Sequence, residues 1–501
     1  MDSFVKSVKS QTFQLDGMDN SSALFPIPIY FWYENANQAA AGKSLHPDIL
    51  EASFYKTLEE FPVLAGYLKA DSNSRTYIDV DKDNLNMPEF KITQCDIHFQ
   101  TLKDAKFDTT LFPGLFSDVY TVPSPPGMFG GSIKMAHFHI YRFKDNSGIG
   151  IFSGIAHFVL DGYGYYRFMK RWAEISVWMH DNTDSKKCNA LSSHSFVHDR
   201  GVLMANKSNE IDALDKDTCH ALATGGFVSK WLAWLSPNAR GRIFRCLEFS
   251  SQVTSCYFHI PTQLIESLRM SVQEAAPANA QRYSTNDVLV ALVTLVIAQC
   301  IRMDDLDPQN KLASTLNQIL YNKILGESAE FMTLIAVNTR PRLKHLADIT
   351  YTGNAIIGRE IVTPLELLQM DPTPKVLATI ASSTRQAVIN TNERFANQYF
   401  GMLNKESDGY MRVSLSYLKK RQLAMISNVS RSDFHLLDFG AGIPALVRPP
   451  AHAFPGLVLI LSAHPDIGGY ELSFNVTDGV AKKLVQNKFW MSFVGSYVGA
   501  A

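Results

Sequence analysis

The stretch Ser153-Gly154-Ile155-Ala156-His157-Phe158-Val159-Leu160-Asp161-Gly162-Tyr163-Gly164 constrains the fold of this chain more than any other. Upstream of it, Ile133 to Phe143 is a β-rich run, Lys144 to Gly148 is a turn signal, and Ile149 to Ala156 is a second apolar, β-rich run. Together they predict a hairpin. Downstream, Phe168, Trp172, Ile175 and Met179 recur at four, three and four residues, one face of a helix. A histidine therefore stands where a strand ends and a turn begins, and the turn feeds an amphipathic helix. Gly162 and Gly164 argue against a continuous helix through His157 and Asp161. A tight turn is expected instead, with the two side chains diverging. Such a junction lets a side chain reach into a cleft while its backbone stays fixed. A neutral imidazole placed there is the best general base near neutral pH.

The chain has 501 residues, 46% hydrophobic and 19% charged, enough apolar material to bury more than one core. One composition shift, polar and without sustained periodicity, runs from His180 to about Thr224. A loop this long is seldom internal to one compact domain. It divides the chain into a first half, 1–190, a crossover linker, 191–224, and a second half, 225–501. In the second half Ser284-Thr285-Asn286-Asp287 has the spacing of a capping box, with Asp in place of Glu. The helix it opens carries Val288, Leu289, Leu292, Leu295 and Val296, and strand-like runs follow at Phe331–Val337, Gln422–Val429 and Leu457–Leu461. The fold class is α/β (α+β) with large mixed sheets.

Lys plus Arg number 47 and Asp plus Glu 48, a formal net charge of −1. That balance excludes a dedicated nucleic-acid binder and polybasic membrane docking. The longest apolar run, Val288 to Ile301, is broken by Thr294 and Gln299 and falls short of the about 20 residues a bilayer requires. The first residues lack a signal-peptide core, and the last are neither a peroxisomal nor an ER-retention tail. Cysteines 95, 188, 219, 246, 256 and 300 are scattered, with no C-x-x-C pair. Buried thiols in a reducing compartment, and a cytoplasmic protein, are expected.

A second segment, Ser427 to Gly442, contains Asp438-Phe439-Gly440-Ala441-Gly442. Asp-Phe-Gly also marks protein kinases, but the glycine-rich loop, strand lysine and catalytic-loop signature are missing in the required order. Taken together, the two segments resemble the BAHD acyltransferases, an acyl-CoA-dependent family of plants and fungi. His157, Asp161 and Gly162 match the family's H-x-x-x-D-G, and Asp438, Phe439, Gly440 and Gly442 match its D-F-G-W-G, with Ala441 at the Trp. Phe61 to Leu68 resembles its Y-P-L-A-G-R-L stretch. Val337 to Leu343 followed by Gly353-Asn354 resembles its D-x-R-x-R…G-N stretch, and Ser284 to Leu289 the start of its central helix.

The resemblance implies two domains of the chloramphenicol-acetyltransferase type with a channel between them, and a segment near 438–465 exchanging into the first sheet. It implies that His157 sits midway along the channel, reached by CoA from one face and acceptor from the other, and takes the proton of the attacking hydroxyl or amine. Asp161 then points away and pairs with an Arg, Arg340 first and Arg342 second. Asp438, Phe439, Gly440 and Gly442 shape the CoA side. Tyr30 and Trp32 lie where the family places acceptor-side residues, core strand packing being the other reading of the same positions. The family's T-x-W, whose Thr and Trp help hold the oxyanion, falls on Ser427-Asn428-Val429. Ser427 keeps a hydroxyl, whereas Val429 has no donor, and one such donor is worth about 3 kcal/mol.

Three other patterns carry less. Gly42-Lys43-Ser44 resembles the end of a P-loop, but Asn37 stands where the first Gly belongs. His137 and His139 share a strand face and require a third ligand to hold a metal; channel-wall or core histidines are expected. Ser328 sits in a near-miss of the G-x-S-x-G elbow and reads as a loop serine. The expected protein is a monomeric acyltransferase of specialised metabolism. It takes acyl-CoA as co-substrate and a small-molecule alcohol or amine as partner, with no bound cofactor, metal, nucleic acid or membrane. With no nucleophile elbow, direct attack in a ternary complex is expected. The alternatives are a condensation-type enzyme using carrier-bound donors and a silent binding protein on the same scaffold.

Overall fold

The strand Gly148–Ala156 is buried along its whole length and lies at the centre of a five-stranded sheet. It pairs antiparallel with Ala136–Arg142 on one side and with Pro26–Glu34 on the other. Glu89–Gln94 continues the sheet in parallel beyond Ala136–Arg142. Beyond Pro26–Glu34 comes Leu446–Arg448, a strand from far along the chain, antiparallel to Tyr30, Phe31 and Trp32. Pro26 and Pro28 thus fall where the outer edge of their strand has no partner among the described residues, the position in which a residue without an N–H is tolerated. Gly148 and Gly150 are glycines because a Cβ there would run into the rings of Phe99 and Trp32.

The structure, a computed structural model, describes residues 2–21, 26–35, 45–71, 76–112, 114–116, 133–181, 191–204, 253–305, 330–405, 423–450 and 456–499. Gly42-Lys43-Ser44, Ser328, Cys188, Cys219, Cys246 and most of the linker read as 191–224 lie outside these residues. Residues 191–204 lie inside them, and they are not merely solvated loop. Phe196–Val197 pairs in parallel with Thr350–Tyr351, and the turn Arg200–Met204 begins on a buried arginine.

The helix Gly162–Asp181 follows the central strand, lays Phe168, Met169 and Trp172 into the first core and buries Ile175 beside them. There Phe54, Phe138 and Trp172 meet edge to face or tilted, with ring centroids 4.7–5.5 Å apart, the preferred arrangement of aromatic quadrupoles. Phe434, Leu437, Phe439 and Val447, all from the second half of the chain, complete this same core.

The second half builds a seven-stranded sheet in the order Ile356–Pro364, Glu330–Asn338, Leu423–Asn428, Leu457–Ser462, Tyr470–Thr477, Val253–Ile260, Ser496–Gly499. The pairs made by Leu423–Asn428 are parallel, which requires long crossovers, and the rest are antiparallel. Behind it runs the helix Thr285–Asp305, buried from Val288 to Ala298 on every side. A helix apolar all round belongs inside a core. Its capping box forms: the Ser284 N–H donates to Asp287 Oδ2 at 2.7 Å and the Asp287 N–H to Ser284 Oγ at 3.3 Å. Among the described residues no helix is long and apolar enough to cross a membrane. Cys95, Cys256 and Cys300 are buried thiols.

Candidate active site

The central strand ends at Ala156, and residues 157–161 make a tight turn before the helix starts at Gly162. Ala156 O accepts from the Val159 N–H at 2.9 Å, which reverses the chain at once. Asp161 closes the turn and opens the helix. Its backbone carbonyl accepts from the Tyr165 N–H at 2.8 Å, and its Oδ1 accepts from the N–H groups of Tyr163 and Gly164 at 3.1 and 3.0 Å. This is an N-cap, the task for which Asp is suited. Gly164 allows the helix start to touch the Thr352 carbonyl, where a Cβ would collide.

The Asp161 carboxylate is wholly buried and fully used. Arg340 donates to Oδ2 from Nη1 at 2.8 Å and to Oδ1 from Nη2 at 3.1 Å, and the Ala355 N–H donates to Oδ2 at 3.0 Å. Arg340 spends its other N–H donors on Tyr351 O, Asn338 Oδ1 and Gly353 O. Its guanidinium also lies over the Tyr163 ring at 4.5 Å. Arg342 instead donates to Asn338 O at 2.6 Å.

His157 is half-buried. Its Nδ1 is buried without a hydrogen-bond partner among the described residues, so Nε2 is the nitrogen left to meet another molecule. Asp161, four residues on, does not bond the ring; the two side chains diverge as the turn requires. Val429 lies against the start of the helix, 3.5 Å from where a Cβ on Gly162 would be. Ser427 is half-buried near the end of the strand Leu423–Asn428, and Asn428 beside it donates to Asn286 Oδ1 at 2.7 Å, at the head of the central helix.

Beside that helix head lies a cleft of ≈ 360 Å³ lined by Arg269, Arg282, Arg385, Tyr283, Glu266 and Thr285. Arg269 pairs with Glu266 at 2.7 Å and Arg385 with Asp287, while Tyr283 Oη is buried with no partner among the described residues. Three guanidiniums against two carboxylates leave the cleft cationic.

The segment Asp438–Gly442 folds on itself. Asp438 Oδ1 accepts from the N–H groups of Gly440 and Gly442 at 2.6 and 2.9 Å, and both glycines have positive φ, 118° and 92°. Phe439 is fully buried against Trp172 and Tyr33, and its carbonyl accepts from Ser176 Oγ at 2.7 Å. The motif therefore fastens the late segment to the first half. Tyr30 and Trp32 stack at 5.0 Å inside a closed aromatic cluster with Phe152 and Phe143, 3% and 1% exposed. His137 meets Glu89 at 2.7 Å and His139 meets Thr93 at 2.7 Å.

Sequence reading passed over two residues that touch the turn and a third that holds them both. Asn354 Nδ2 donates to His157 O at 2.9 Å, Arg200 Nη2 donates to Val159 O at 2.6 Å, and Asp19 bonds both of them. Asn354 was visible only as part of a landmark, and Arg200 only as a charge in a polar stretch. Beside them His198 bridges Thr352 Oγ1 and Glu60 O, and burial pushes its imidazole down to about 4.

Residues 5–206 match the model of the family described as Transferase family. No curated protein matches the chain. Among solved structures it is similar to F. graminearum TRI101 complexed with ethyl coenzyme A, at 15% identity and TM-score 0.69, covering 98% of this chain and 100% of that one. It is also similar to F. sporotrichioides TRI101 complexed with coenzyme A and T-2, at 15% identity and TM-score 0.68, covering 97% and 99%. Vinorine synthase follows at 15% identity and TM-score 0.60, covering 97% and 94%. The fold is thus the one these solved structures share, a chloramphenicol-acetyltransferase-like α/β architecture, as the motif resemblance implied.

Proposed function

From a chain of the transferase family over residues 5–206, with the fold of CoA-binding acyltransferases throughout, we propose an enzyme that moves an acyl group from acyl-CoA to a hydroxyl or amine of a small molecule. The observation that carries this reading is the division of labour across the turn. Asp161 is spent entirely on structure and does not bond the His157 ring, whose Nδ1 is buried, so that Nε2 is the nitrogen left to meet another molecule. His157 Nε2 takes the acceptor's proton as its oxygen or nitrogen attacks the thioester carbonyl, and the imidazolium returns the proton to the departing CoA thiolate. A base in this role contributes roughly 10²–10⁴-fold. In this reading the Ser427 hydroxyl assists the oxyanion, and Val429 adds no donor. The cationic cleft at Arg269, Arg282 and Arg385 suits the phosphates of CoA, which guanidiniums hold by charge-assisted bonds.

The experiment is a screen of acyl-CoA donors against pooled alcohols and amines, read by mass spectrometry, with His157→Ala in parallel. Acceptor-dependent release of CoA by the native protein is expected, at least about 100-fold slower in a folded His157→Ala variant. Near-native turnover in that variant would remove His157 from the chemistry. Transfer from a carrier-protein-bound donor alone would move the protein to the condensation-type reading.

A further inference from the structure

The turn that carries His157 is held at three points by side chains from three distant parts of the chain. Arg340 holds the Asp161 carboxylate at the far end. The other two grips act nearer the histidine, on backbone carbonyls. Asn354 Nδ2 donates to His157 O at 2.9 Å and to Asp19 Oδ1 at 2.8 Å. Both neighbours can only accept, so the amide nitrogen must face them. Arg200 donates from Nη2 to Val159 O at 2.6 Å, from Nη1 to His198 O at 2.6 Å, and from Nε to Asp19 Oδ2 at 2.9 Å.

Asp19 is the hub: one carboxylate oxygen orients Asn354 and the other orients Arg200. It is 0% exposed and Arg200 2%. Asp16 sits beside it, its Oδ1 accepting from the Asp19 N–H at 2.8 Å, and burial with the Asp19 charge holds the Asp16 carboxyl well above the usual range. Asp19 is the carboxylate that meets the Arg200 guanidinium directly, at 2.9 Å.

Resting on the acyltransferase reading above, we propose that Asp19, Arg200 and Asn354 form a second clamp that positions the general base. The His157 carbonyl is one bond from the Cα that bears the imidazole. Pinning it and the Val159 carbonyl fixes the peptide planes of the turn, and with them the bearing of Nε2. Asp161, four residues on and held by Arg340, fixes the far end of the turn, where the helix begins. None of the three proposed residues touches substrate. They act through His157, because a general base misplaced by about 1 Å loses on the order of 10²-fold in rate.

The test uses the full chain with Asp19→Asn, Asn354→Ala and the milder Asn354→Ser. Histidine labelled at Cε1 gives one resonance per ring, and His157→Ala assigns the one of interest. The clamp predicts that each variant shifts or broadens the His157 resonance in the free protein. It also predicts a kcat lowered at least about 10-fold with KM for acyl-CoA within about twofold. Val480→Ala, in the second core, serves as a control for lost stability alone. The proposal is overturned if a folded Asn354→Ser keeps the native His157 resonance and kcat. It is equally overturned if Val480→Ala reproduces both changes at the same loss of melting temperature. The resonance is read without substrate, so it decides the clamp even if the chain transfers no acyl group.

Discussion

Asp161 and Arg340 are 179 residues apart in sequence and share two hydrogen bonds, at 2.8 and 3.1 Å, with neither oxygen of the carboxylate left over. The pair ties the turn after the central strand of the first sheet to the end of the strand Glu330–Asn338 in the second. It is a fastening between the two halves, and its chemistry is used up in that role.

Breaking the pair from either side should therefore cost stability. Asp161→Ala leaves the Arg340 charge buried, and Arg340→Ala leaves the Asp161 charge buried. Each is expected to lower unfolding free energy by about 3–5 kcal/mol. Arg342→Ala removes bonds to backbone carbonyls at a half-buried position and should cost clearly less. Urea unfolding of the three variants checks the order. Equal losses for Arg340 and Arg342 would deny the pair its role.

Two glycines in one motif should respond in opposite ways. A Cβ on Gly162 would meet only Val429 Cγ1, at 3.5 Å, an ordinary contact. Gly162→Ala at a helix start is expected to be neutral or to stabilise by up to about 1 kcal/mol. Gly164→Ala would drive its methyl into the Thr352 carbonyl and separate the helix from the segment that bears Arg340's partners. A loss of about 1–3 kcal/mol is expected. Melting temperatures of the two variants decide it, and a tolerated Gly164→Ala would refute the close approach.

Acid should destabilise the fold in a defined window. Burial pushes both His198 and His435 down to about 4 from the ordinary 6.5. Arg200 adds to the effect at His198, and His464 adds to it at His435. In the unfolded chain both rings take up a proton near pH 6.5, but in the native state they do so only near 4. Stability is then fully present above pH 6.5 and falls as pH drops towards 4, by on the order of 3 kcal/mol per ring. Unfolding midpoints measured from pH 7.5 to 4 should show this slope, and His198→Gln should flatten part of it. An unchanged slope in the variant would contradict the assignment.

The kinetic order is the remaining expectation. One base that deprotonates the acceptor is enough when the thioester is already reactive, so no acyl-enzyme is required. Varying both substrates should give intersecting double-reciprocal lines, and acyl-CoA alone should release no stoichiometric burst of CoA. Parallel lines with an acyl adduct on Ser427 or a cysteine would replace direct attack by a two-step route.

Local signals in this sequence carried local structure. The hairpin read from Ile133 to Ala156 appears as Ala136–Arg142 against Gly148–Ala156, and the periodic face at Phe168, Trp172 and Ile175 is buried in the helix Gly162–Asp181. The Ser284 and Asp287 caps bond each other as their spacing requires. Asp-Phe-Gly at 438–440 was legible as a motif, but only packing shows that Phe439 fills the first core against Trp172.

What the sequence by itself determined is where strands, turns and helices begin, because those depend on residues within a few positions of one another. It also determined that a histidine would end the central strand. The tertiary structure alone decided which Arg meets Asp161, since Arg340 and Arg342 differ by two positions and only one points to the turn. It alone brought Asp19, Arg200 and Asn354 together, across separations of 181 and 335 residues. A charge in a polar stretch looks solvated in one dimension. Only when the chain closes over it, and burial makes an unpaired charge too costly to keep, does its partner become necessary and therefore fixed.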